Sequence, residues 1–161
     1  MRTNRIKHIL RENLYNGAND SRIDSLKDKE ANDSRIDSLK DFVKFCQRHL
    51  KLTDLPKIDL TNDNSKTTTY AHNDIANDEI VVYMGKCSYD YPFGNRSLGD
   101  VMRSLAHELV HYEQKQNGKL KHDGSDGVTG SPIENEANAV AGVIMREYGQ
   151  NNPHIFESTI K

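Results

Sequence analysis

The spacing of apolar residues changes along the chain, and each change marks an element. Ile36, Leu39, Val43 and Cys46 recur at 3-4-3 spacing, which predicts a packed helix over residues 34–50. Residues 67–72 ("TTTYAH") and 79–84 ("EIVVYM") are rich in Thr, Val, Ile and Tyr, with the turn-like "NDIAND" between them. They predict two antiparallel strands, preceded by a possible short strand around 57–60. "CSYDYPFGNR" reads as a loop. A second apolar stripe follows: Val101, Leu105 and Leu109, flanked by Met102, Ala106 and Val110. It predicts a long helix with Ser97 as N-cap, Asp100 in capping-box position and Gly118 as the stop. The polar, glycine-rich "NGKLKHDGSDGVTGSP" is a loop. Ser131-Pro132 then starts a last helix, whose apolar face is Ile133, Ala137, Val140, Ala141 and Ile144 and whose predicted end is Gly149. The tail "QNNPHIFESTIK" reads as short and irregular. Together these elements predict an α+β domain.

Ahead of it lies a duplication. "ANDSRIDSLKD" occurs at residues 18–28 and again, letter for letter, at 31–41. An offset of 13 residues turns a helix by about 220°, so the two copies would face different ways on one continuous helix. Two copies are also too few for a solenoid. We read an in-frame duplication with one dispensable copy. Residues 1–33 form a helical or partly disordered lead-in to a domain over 34–161. The duplication and the asparagine-rich composition would suit a phage or small bacterial genome.

Composition narrows the classes. With 161 residues, one domain can bury a core without disulfide staples. The net charge of −2 gives no field for nucleic acid or acidic membranes. The N-terminus is basic but lacks an apolar signal core, and no run approaches 18 apolar residues, so the expected compartment is the cytoplasm. Cys46 and Cys87 stand alone and far apart, outside any C-x-x-C pair. A disulfide between them stays open, and reduced thiols suit a cytosolic chain.

The chemistry concentrates in "SLAHELVHYEQ". Residues four apart share a helix face, so His107 and His111 can reach one ion. Zinc takes imidazole nitrogen at about 2.0–2.1 Å, and catalytic sites add a third protein ligand and a water. Glu108 lies about 100° round the helix, beside the metal and not on it, where a carboxylate can act as general base and acid. With 7 histidines and 9 glutamates in the chain, chance produces H-E-x-x-H with a probability of roughly 2%. The plainer reading is a polar helix face, but Leu105, Ala106, Leu109 and Val110 make this helix largely buried.

Two histidines need a third ligand. The form in which a third histidine follows closely fails, because Gln114 and Asn117 occupy its glycine and histidine positions. His122 lies in the glycine-rich loop at no familiar spacing. "SPIENEANAVAG" supplies Glu134 and Glu136. "HELVH" followed by "ENEAN" resembles the gluzincin metallopeptidases, especially their small forms, over about residues 98–148. The resemblance implies a zincin-like fold with an active-site helix, a small antiparallel sheet and a second ligand-bearing helix. It implies Glu134 as third zinc ligand and Asn138, where the family has an acid, beside a ligating histidine. Ser131-x-x-Glu134 is also a capping box, so Glu134 could merely close its helix, leaving Glu136 as the rival ligand. The motif match favours Glu134.

The sequence thus predicts a zinc-dependent peptidase acting on a peptide or protein, with Zn2+ on His107, His111 and Glu134 and with Glu108 as general base. The alternative is an inactive zinc-binding protein that works by binding a partner. A protease of DNA–protein crosslinks is disfavoured by the scattered Lys and Arg. Tyr70, Tyr83, His122 and His154 are open as oxyanion donors, with no spacing to choose among them.

Overall fold

The computed structural model describes residues 35–61, 69–85, 96–121 and 125–157. Helix α1 spans Ile36–Leu50. The strands are β1 (Lys57–Thr61), β2 (Ala71–Asp74) and β3 (Glu79–Tyr83). Helix α2 runs Leu98–Gln116 and α3 runs Pro132–Asn151, followed by a 3-10 turn over Pro153–Phe156. The class is α+β, as the periodicity predicts. The lead-in over residues 1–33, Cys87 and His122 lie outside the described residues; Cys46 is buried and free.

The predicted helical faces are the buried ones, except that Ile133 and Val140 of the last helix are only half-buried. Leu39, Phe42, Val43 and Cys46 of α1 meet Val101, Met102, Leu105, Ala106 and Leu109 of α2, Ala137, Ala141 and Ile144 of α3, and Ile80 and Val82 of β3 in one apolar core. Helix ends follow local chemistry. Ser97 Oγ accepts from Asp100 N, and Ser131 Oγ accepts from Glu134 N with Pro132 in the first turn. Gly118, at φ 66°, carries the chain out of α2, where a side chain would be strained.

Four expectations need correction. The sheet is mixed, not antiparallel: its order is β1-β3-β2, with β3 antiparallel to β2 and parallel to β1. The chain leaves β1, skips a strand's width to form β2, and turns back through Ile75–Asp78 to fill the gap with β3. Alternating Ile58/Leu60 and Ile80/Val82 put one face in the core but carry no record of which strands are neighbours. The strand predicted at 67–72 is shifted to Ala71–Asp74. Gly149 does not end α3, which continues to Asn151. Its missing side chain instead seats the Phe156 ring, since a Cβ there would lie 2.3 Å from a ring carbon. The tail predicted to be irregular thus packs as a 3-10 turn, with Ile155 buried.

One buried cation ties the sheet to α2. Arg96 is 1% exposed, and all five of its N–H bonds find acceptors. Nε donates to Asp100 Oδ2, Nη1 to the carbonyls of Tyr70 and Tyr83, and Nη2 to the Asp100 carbonyl and Ser104 Oγ. Asp100 therefore spends its carboxylate on Arg96, and only its N–H joins the Ser97 cap.

Candidate metal centre

Helices α2 and α3 pack against each other, and their facing residues pair in order. His107 and His111, one turn apart on α2, both point Nε2 at the first turn of α3. Their Nε2 atoms are 3.0 Å apart. Glu134 completes the group, with Oε1 3.1 Å from His111 Nε2 and Oε2 3.3 Å from His107 Nε2. These three side chains could hold a metal ion. They are 20%, 11% and 20% exposed, so the group is sheltered but reachable from solvent.

The two glutamates of "ENEAN" have separate fates. Glu134 gives only its backbone N–H to the Ser131 cap and turns its carboxylate to the histidines. Glu136 accepts from Gln114 Nε2 at 2.9 Å and from Lys119 Nζ at 2.9 Å, outside the histidine group. Those two donors, Lys119 first, hold its carboxyl below the usual range.

Each histidine has a polar neighbour. Gln114 Oε1 lies 2.8 Å from His111 Nδ1. Asn138 stands beside His107, and its Nδ2 donates to the Glu134 carbonyl at 3.0 Å. Burial, aided by His111, pushes the His107 pKa down, which keeps its imidazole neutral and its lone pair available.

Glu108 sits beside the group on α2, 8% exposed. Burial, with the Glu134 charge adding to it, pushes its carboxyl up from 4.5 to about 7. β2 crosses close by: Asn73 Nδ2 donates to the Glu108 carbonyl at 3.4 Å, while Asn73 Oδ1 is buried with no partner among the described residues. Lys115 clips the β2–β3 turn to the same helix through the Ile75 carbonyl, at 2.6 Å, and Asp78.

The structure thus brings together His107, His111 and Glu134, with Glu108 adjacent. Of the oxyanion candidates, the Tyr70 ring lies under Arg96, Tyr83 is on β3 near His72, and His154 is in the terminal 3-10 turn, while His122 is outside the described residues. Sequence reasoning missed Gln114 and Asn73. A signal existed for Gln114, a polar residue three positions after His111 on a buried helix. None existed for Asn73, whose place depends on strand pairing. No protein-family model, curated protein or solved structure gives a match to the chain.

Proposed function

We propose that this protein is a zinc-dependent peptide-bond hydrolase of gluzincin type, with His107, His111 and Glu134 as metal ligands and Glu108 as general base and acid. The carrying observation is the convergence of two imidazole nitrogens and one carboxylate at mutual distances of 3.0, 3.1 and 3.3 Å, beside a buried carboxyl. A tetrahedral ion bound at about 2.0–2.1 Å keeps its ligands roughly 3.3 Å apart, and the two imidazole nitrogens, at 3.0 Å, and the nearer Glu134 oxygen to each of them, at 3.1 and 3.3 Å, lie close to that spacing. Two imidazoles and one carboxylate are a donor set of catalytic zinc, whereas calcium and magnesium favour all-oxygen sets. When bound, zinc supplies a Lewis acid that polarises a carbonyl and acidifies water.

The chain's own residues supply the proton traffic. A general base works best with a pKa near the working pH, and burial moves the Glu108 carboxyl in that direction, to about 7 in the metal-free protein, while a bound cation beside it would draw it back down. Gln114 orients the His111 imidazole from behind, and Asn138 stands beside His107. A peptide or protein is the substrate class, because among the described residues β2 is an edge strand beside Glu108, and an extended peptide can add to such an edge. No described helix is long and apolar enough to cross a membrane. The cytoplasm is the compartment we assign, on the sequence reading alone.

The test is turnover of a peptide library by zinc-loaded wild type and Glu108→Gln. The variant should retain zinc and lose roughly 10²–10⁴-fold in rate. Stoichiometric zinc in a wild type that cleaves nothing would instead establish a binding protein.

A further inference from the structure

We propose that Gln114 is the positioning residue of this centre: its one side chain fixes the tautomer of His111 and pins the turn that carries Glu134. The inference rests on the metal-site reading above and extends it to how the ligands are held ready.

Gln114 is 0% exposed, and an amide so buried must satisfy its polar atoms. Its Nε2 donates to the Ile133 carbonyl at 3.1 Å and to Glu136 Oε2 at 2.9 Å. A backbone carbonyl can only accept, so the amide nitrogen belongs on that side and the oxygen on the other. The oxygen then faces His111 Nδ1 at 2.8 Å. An amide oxygen also only accepts, so Nδ1 must carry the hydrogen. A neutral imidazole has one N–H, which leaves Nε2 with a lone pair. Nε2 is the atom facing His107 Nε2 and Glu134 Oε1. The tautomer that can bind a metal is thus dictated, through the Gln114 amide, by the Ile133 carbonyl on another helix.

The same amide performs a second task. Ile133 immediately precedes Glu134, so the bond from Gln114 holds the backbone of the third ligand's turn against α2. Behind the amide stand Glu136 and Lys119, giving a chain Lys119–Glu136–Gln114–His111. An amide donating to a carboxylate becomes a better acceptor at its oxygen, which strengthens the hold on His111. Glu136, the rival ligand of the sequence, thereby acts on His111 through Gln114.

The experiment compares wild type, Gln114→Leu and Gln114→Glu. Long-range 1H–15N imidazole spectra of the metal-free proteins read the His111 tautomer, and chelator competition reads zinc affinity. Wild type should show Nδ1–H. Gln114→Leu should shift toward the Nε2–H form and bind zinc roughly 10–100-fold more weakly. Gln114→Glu keeps an acceptor for His111 but no donor for Ile133 or Glu136, so it should retain Nδ1–H and still lose affinity. A folded Gln114→Leu with the wild-type tautomer and affinity would overturn the proposal. Should that variant not fold, loss of Nδ1–H in Gln114→Glu would overturn it. A wild type that takes up no zinc would sink the function proposed above, while the metal-free spectra would still judge Gln114.

Discussion

Glu108 shows how one residue couples fold and chemistry. Burial raises its carboxyl to about 7, so the folded metal-free protein prefers it protonated. The sign follows: this preference stabilises the fold fully below the unfolded value near 4.5 and is lost as pH rises toward 7. We expect thermal stability of the metal-free protein to fall across that window, by up to about 3 kcal/mol for this group. Glu108→Gln should flatten the profile and make the metal-free protein more stable than wild type at pH 8. Parallel melting curves with and without the substitution would expose an error in this assignment.

At the scale of elements, the joint between sheet and helix depends on Arg96. Its five N–H bonds hold the ends of β2 and β3 to the first turns of α2, a helix that also carries His107 and His111. Arg96→Met fills similar volume but strands Asp100 and two carbonyls, and we expect denaturant titration to show a loss of about 3 kcal/mol. An unchanged midpoint would mean that water replaces the guanidinium without cost. The three helices are legible in the sequence because a 3.6-residue stripe, a serine cap and a proline or glycine each act locally. The parallel pairing of β1 with β3 is not, because alternation reveals which face is buried and never which strand lies alongside. Gly149 misleads for a similar reason: its contact, Phe156, becomes a neighbour only after the tail folds back. At the candidate site, the spacing of His107, Glu108 and His111 is local and legible. The choice of Glu134 over Glu136 leans on a family resemblance, because a helical wheel leaves both flanking the apolar face.

For the molecule as a whole, the described residues of the core run from Ile36 to Ile155, and the candidate metal ligands lie within that span. The second copy of the duplicated segment supplies Ile36 and Leu39 of α1 to that core. Deleting residues 18–30 removes one copy of the repeat and leaves the other, so zinc binding should stay intact, and an unfolded deletion product would contradict the reading of one copy as dispensable. The central claim is that one ion is held between α2 and α3 by His107, His111 and Glu134. Elemental analysis of purified wild type, Glu134→Ala and Glu136→Ala tests it most directly. The account predicts one zinc per chain in wild type, near-complete loss in Glu134→Ala, and retention of the metal in Glu136→Ala with weakened affinity. Wild type without zinc, or a greater loss in Glu136→Ala than in Glu134→Ala, would contradict it.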